Sequence, residues 1–542
     1  MGLQGVDLTF RVLATTRNPA ALPVLIAALD SPWAKIRRLA VEALLTRRDP
    51  EGHRAILERL AHWPKDLRQL VWRERARLGA TLRDFVLSPD FEQSLRGLQA
   101  AVWLRDYDLA PILVNMLLCP SSSAGAVAAD AVLQLAQALA EELEKAPPTG
   151  IPPALQTAKA QFLRSLSRAI EHYDLHQRTE VLVAALILAD PLDPLWRRVL
   201  DDPGHKAHKA LAELLLKSSR PEVLRLILRQ LEQADAPSVV LRAVAKRRDL
   251  TFVGALLSLL SENGSAELAR NLGRLRGFSW LEDLEEFIPK LDAKQQLGLV
   301  RLTQVSGIRR LQAQEVLRQI VRLGLPAART AAVNALADFT GPQANVIICQ
   351  ALQDPEPEVK AAAARQLRSR GIVGAIPRLI DLLESPEPVV QEAARESLQE
   401  FRFDRFLAAF DLVDEGVRHT TGWLVRKVDP TAVDRLRQEL ASPIRARRLR
   451  AIAMAEALHA LTDVEQELIA LTKDVDHLVR AAAVKALASV SSTEAHQAIL
   501  EALNDSAAAV QHAARTALEH GSVQPPPYPV GSSLLSIAEM PG

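Results

Sequence analysis

Between residues 479 and 487 the apolar positions are Val479, Ala482, Ala483, Ala486 and Leu487. That i, i+3, i+4, i+7, i+8 order is one face of an α-helix, not the two-residue alternation of a strand. The face recurs at a fixed step. Val359, Ala363 and Leu367 return 31 residues later as Val390, Ala394 and Leu398. Ala328, Ala332 and Leu336 hold the same places one step earlier, and Val479, Ala483 and Leu487 return as Val510, Ala514 and Leu518. Ile36, Ala40 and Leu44 fit the frame near the N-terminus. A second apolar set precedes each of these: Leu22, Leu25, Ile26 and Leu29 correspond to Ile376, Leu379, Ile380 and Leu383, with Ile348, Cys349 and Leu352 in the same frame. Ser31-Pro32, Asp354-Pro355 and Ser385-Pro386 separate the two sets, and Asp474 and Asp505 take the same place further on. Asp or Ser caps the second helix, and Pro cannot continue the first.

Each step is therefore a helical hairpin whose apolar face is too large to bury alone, and stacked copies bury it against one another. The stretches "LQDPEPEVKAAAARQL" (residues 352–367) and "LTKDVDHLVRAAAVKAL" (residues 471–487) resemble HEAT repeats, in the short bacterial form also found in phycobilisome-lyase-like proteins. The resemblance implies an all-α fold, a right-handed α-solenoid of stacked antiparallel helix pairs of the HEAT/armadillo kind. It is clear over residues 325–400 and 460–520, good at 18–46 and weaker between. The expected organisation is an N-terminal helical block (1–145), central repeats (154–400, degenerate to about 325), an irregular helical insertion (401–430), C-terminal repeats (431–520) and a disordered tail (521–542). The Pro-rich stretch 144–153 separates the first two. In the tail, Pro525-Pro526-Pro527-Tyr528 resembles a WW-domain ligand, beside the plainer reading of a polyproline II segment.

Composition narrows the function without naming it. Aromatic residues are 4 % and hydrophobic residues 48 %, a mix that suits closely packed helices and not a β-sandwich. Lys plus Arg number 66 against 65 Asp plus Glu, which argues against a globally basic nucleic-acid binder. Two cysteines, Cys119 and Cys349, provide neither a disulfide framework nor a Cys-x-x-Cys pair, and each reads as a small apolar residue. The N-terminus lacks a secretory profile, and the longest apolar run, residues 181–189, is about half a spanning helix. A soluble cytoplasmic protein without membrane attachment is expected.

No P-loop, His-Glu-x-x-His, Gly-x-Ser-x-Gly or Rossmann glycine pattern is present, which removes the commonest local signatures of catalysis though not every enzyme; the expectation is a non-catalytic role with no cofactor and no metal. His172 and His176 are four apart, a spacing that puts two imidazoles on one helix face, but no third ligand is evident. His205 and His208 read as a solvated helix start. Basic clusters carry more: Arg37, Arg38, Arg47 and Arg48; Arg68, Arg73, Arg75 and Arg77 with Trp72; Arg445, Arg447, Arg448 and Arg450. Arg beside aromatics can hold phosphates and bases, whereas interleaved acids (Glu42, Asp66, Glu74) favour ordinary surface pairing. In the family the resemblance names, the residue after the second-helix Val pairs with turn acids of its own or a neighbouring repeat. Arg480 with Asp474 and Lys360 with Asp354 fit that pattern.

The leading reading is a scaffold for a protein or peptide, bound on a concave surface lined by second helices. Its exposed strip includes Arg37, Arg38, Lys360, Arg365, Arg395, Arg480 and Lys485. The irregular segment adds Arg418, His419, Trp423 and Arg426, the anchors usual at interfaces, unless Trp423 fills a gap in the core. Nucleic-acid binding and a chromophore-lyase-like accessory role stand as alternatives.

Overall fold

The computed structural model describes residues 3–118, 124–146, 150–262 and 264–520, and these form helices and turns without a strand. The expectations at Cys119, at Pro525 to Tyr528 and for residues 521–542 as a whole lie outside the described residues. The chain divides into two compact units, Met1–Ala313 and Gln314–Gly542. Each is built from antiparallel helix pairs stacked side by side, the all-α solenoid arrangement expected.

In the second unit the pairs are Pro342–Ala351 with Pro357–Leu367, Ala375–Leu383 with Pro388–Ser397, Phe403–Ala409 with Glu415–Val428, Ala432–Leu440 with Arg445–Ala457, Glu465–Leu471 with His477–Leu487, and Thr493–Ala502 with Ala508–His520. Pro at the first turn starts Pro357–Leu367 and Pro388–Ser397. The Asp476 carboxylate accepts from the Leu478 and Val479 amides and starts His477–Leu487. Second helices pack on one another through the repeating columns. Val359, Val390, Val479 and Val510 are fully buried, as are Ala363, Ala394, Ala483 and Ala514. Alanine in the middle of each column lets the helices come close, so any larger or charged side chain there must displace a backbone.

Residues 401–430 form a helix pair within this stack. The 31-residue step is lost because the first helix is only Phe403–Ala409, followed by a 3-10 turn at Phe410–Leu412, while the second is longer than its neighbours. Phe401, Phe403, Phe406 and Phe410 are buried and fill the space a longer first helix would occupy, Phe406 and Phe410 meeting edge to face at 5.4 Å. Gly422 fixes the approach of the second helix. A Cβ there would lie 2.3 Å from the Ala457 carbonyl oxygen, so only glycine permits this contact with Arg445–Ala457.

In the first unit, Gly125–Glu144 packs directly on Thr179–Leu188, with Pro153–Glu171 against both. The helices on either side of residues 147–149 thus pack within the first unit. Val181 to Leu186 are all buried or nearly so, which accounts for the long apolar run: this helix is covered on every side.

Candidate functional site

Many of the arginines that the sequence offers as a surface are engaged in joining repeats. Arg329 places Nε and Nη2 2.8 Å from the two oxygens of Asp354, in the turn of the next repeat, and donates Nη1 to its own turn at Gly324 O. Arg480 does the same with Asp505, again at 2.8 Å twice, and donates to Asp474 O. Arg448 pairs with Asp474 at 2.8 Å and donates to Ser442 O. The side chains of these three pairs are only 9 to 15 % exposed. The expected pairs therefore need correcting. Arg480 meets the Asp474 carbonyl, not its carboxylate, and Asp354 takes Arg329 rather than Lys360. A planar guanidinium reaches the next turn and its own turn at once, which the single ammonium of a Lys cannot. Gln391 and Gln511 keep only the carbonyl half, each donating to a turn oxygen six residues back at 2.7 Å. Arg37 also donates to its turn, at Ser31 O.

A second arginine device works at the other end of the second helices. Arg47 donates to Leu13 O and Thr16 O, Arg247 to Leu215 O and Ser218 O, and Arg370 to Leu336 O and Phe339 O. Each covers carbonyls at the C-terminal end of the preceding second helix, where the backbone lacks partners and the helix dipole favours a cation. Of the basic clusters, then, Arg47 and Arg448 are structural. Arg38 pairs with Glu42, Arg77 with Glu74, Arg445 with Asp476 and Arg450 with Asp411.

On the second-helix strip, Arg365 pairs with Glu396 of the next repeat at 2.5 Å, and Arg395 lies 3.4 Å from Glu392. Lys360 is half-buried beside the charge of Glu387. Arg418 points back to Val413 O and covers the Phe410 ring. The remaining sites converge. His419 and Trp423 stand half-buried one turn apart on Glu415–Val428. The Lys427 ammonium sits over the Trp423 ring at 4.5 Å and pairs with Glu384. Across from it, His459 turns its ring to 6.0 Å from His419. It does so from the left-handed region, φ 53°, at the end of Arg445–Ala457. Arg426 donates to His459 O and pairs with Asp463 at 2.8 Å. Glu456 stands between His419 and Lys485: burial holds its carboxyl above the usual range, Glu415 adds to the rise, and Lys485 and His419 pull it back. Burial, with His419 and Arg426 adding, lowers the His459 ring. Sequence reasoning named His419, Trp423, Arg426 and Lys485 but missed Glu456 and His459, which join them across three successive second helices.

His176 is no open ligand. One ring nitrogen lies 3.0 Å from Ala169 O and the other accepts from the Arg178 amide. His172 bonds Arg168 O, and no trio of His, Cys, Asp and Glu is placed to hold a metal among the described residues. Cys349, expected buried, is half-exposed, with Arg378 Nη1 3.0 Å from its sulfur. No helix among the described residues is long and apolar enough to cross a membrane.

Helix pairs stacked on buried alanine columns and cross-linked by arginine define a helical-repeat protein. The family model for HEAT repeats matches residues 314–399 and 345–428, and that for the PBS lyase HEAT-like repeat matches 479–505. No curated protein matches the chain. Among solved structures, an engineered protein from the Northeast Structural Genomics Consortium is 16 % identical, covering 92 % of this chain and 98 % of that one, at TM-score 0.17. The karyopherin Kap121p bound to the SUMO protease Ulp1p is 10 % identical over 94 % of this chain and 72 % of that one, at TM-score 0.26. At such scores neither carries an argument about this chain.

Proposed function

We propose that the chain is a non-catalytic helical-repeat scaffold that binds a protein partner on its second-helix face, with the patch around His419, Trp423, Glu456, His459 and Lys485 as the contact in the second unit. The carrying observation is the half-buried Trp423, whose ring lies 4.5 Å from the Lys427 ammonium and keeps part of its surface open. Trp, like Tyr and Arg, is enriched among the residues that anchor interfaces. Against nucleic acid stands the engagement of Arg47 and Arg448 in the fold and of Arg77, Arg445 and Arg450 in ion pairs. The match at residues 479–505 supports a repeat and carries no pigment chemistry.

The test is paired. Trp423→Ala and the double reversal Arg365→Glu with Arg395→Glu are used separately as bait in extract from the native host, beside wild type. Loss of the same partner with Trp423→Ala, at unchanged thermal midpoint, supports the patch. Full recovery of every wild-type partner by both variants removes this face from the proposal.

A further inference from the structure

The first unit carries a surface of different chemistry. Trp72 and Trp103 are 31 residues apart, the repeat step itself, and so hold one register position on two neighbouring second helices, Lys65–Arg73 and Phe91–Leu104. Trp72 is half-buried and Trp103 is 37 % exposed. Arginine fills the space beside both rings: Arg68 lies over Trp103 at 5.3 Å, and Arg75 over Trp72 at 4.6 Å. The register repeats again one turn or two earlier, where Lys65 corresponds to Arg96 and Arg68 to Gln99.

Four cations gather on this face: Lys65, Arg68, Arg73 and Arg96 have no ion pair among the described residues. The Arg68 Nε is buried and has no hydrogen-bond partner. Arg75 donates Nη1 to Trp72 O at 3.3 Å, whereas the Arg68 Nη groups make no hydrogen bond among the described residues, and a guanidinium edge of this kind suits a carboxylate bound by two parallel hydrogen bonds.

We propose that this face binds an acidic peptide segment of a partner protein. Equivalent positions on stacked helices lie roughly 10 Å apart, which is about three residues of extended chain. The fitting ligand therefore carries carboxylates three residues apart, with apolar or proline residues between them resting on Trp72 and Trp103. A single-stranded nucleic acid fits less well. Each indole already has one face under a guanidinium, which leaves less of it for a base to stack on. The proposal rests on the reading of the chain as a partner-binding scaffold, but on residues of the other unit.

The probe is a fluorescein-labelled peptide repeating glutamate-proline-leucine, titrated with the full chain at low salt and followed by anisotropy. A lysine-for-glutamate version and an oligothymidylate of similar length are the controls. Wild type is expected to bind the acidic peptide, more weakly as salt rises, and to leave both controls free. Arg68→Gln with Arg96→Gln, and separately Trp72→Ala with Trp103→Ala, are each expected to weaken binding about tenfold or more at an unchanged thermal midpoint. Trp423→Ala with Lys485→Asp is expected to leave it unchanged, which separates failure of this site from failure of the patch in the second unit. Absence of acidic-peptide binding by folded wild type overturns the proposal. So does binding that survives both pairs of substitutions, or preferential binding of the oligothymidylate that the same pairs abolish.

Discussion

Asp354→Asn tests whether the arginine rungs hold the stack together. The substitution keeps the shape of the side chain and its capping bond, in which Asp354 Oδ1 accepts from the Glu356 amide at 2.9 Å. It removes the charge that faces both Nε and Nη2 of Arg329, whose side chain is 15 % exposed. The amide can still accept one of the two bonds, and Arg329 keeps Gly324 O at 2.9 Å. One charge-assisted hydrogen bond is therefore lost beside a cation with little access to water, a cost of about 2 kcal/mol. For a unit of this size that is roughly 4–8 °C in the midpoint. Repeat arrays need not melt as one, so the sharper assay is hydrogen exchange read by mass spectrometry. Protection should fall first in Pro326–Ala335 and Pro342–Ala351, the helices the rung ties together. Arg329→Met should cost a similar amount, and the double variant less than the sum of the two, with a coupling of about 1 kcal/mol or more. If Asp354→Asn shifts neither the midpoint nor the exchange pattern, the rung is no stronger than a surface ion pair and the argument for it fails.

Ala483→Asp should cost about 3–5 kcal/mol by placing an unpaired carboxylate in a fully buried column, whereas Lys485→Asp, exposed two residues on, should stay within about 1 kcal/mol; chemical denaturation of the two compares them, and equal values would mean that the register is wrong. Gly422→Ala should cost about 1–3 kcal/mol, because its Cβ meets the Ala457 carbonyl, and should change the fluorescence of nearby Trp423; a variant as stable as wild type would show that the helices can part freely. His53 is buried with its Nε2 unpartnered, and burial first, then Arg77, lowers its pKa against the opposing pull of Asp49. Its neutral form is therefore favoured in the fold, so its contribution is present above about pH 6.5 and is lost as pH falls toward the lower folded value. His53→Leu should make the fall in thermal midpoint between neutral and mildly acidic pH shallower, and an unchanged slope would contradict this.

The fold was legible because its cause is periodic. Val359, Ala363 and Leu367 recur at a constant step, and a step in sequence becomes a column in space whenever helices stack. The fate of the arginines was half legible. The spacing from Arg329 to Asp354 is present again from Arg480 to Asp505, yet only the geometry shows that a guanidinium reaches forward to the next turn while holding its own. Trp103 could have been found by counting one step from Trp72. Glu456 and His459 could not, since the short Phe403–Ala409 helix breaks the count there and His459 reaches His419 only through a left-handed backbone turn.

The rungs of the second unit all point one way, with the arginine in one repeat and its carboxylate in the following one. Cutting out residues 449–480 would bring Asp505 to the distance from Arg448 that it now has from Arg480, and the new joint would be chemically the same as the old. Cutting out half that length would leave a guanidinium facing a helix flank. This stretch can therefore lengthen or shorten only by whole cassettes, and duplication of one cassette enlarges the surface it presents without any new joint having to be invented.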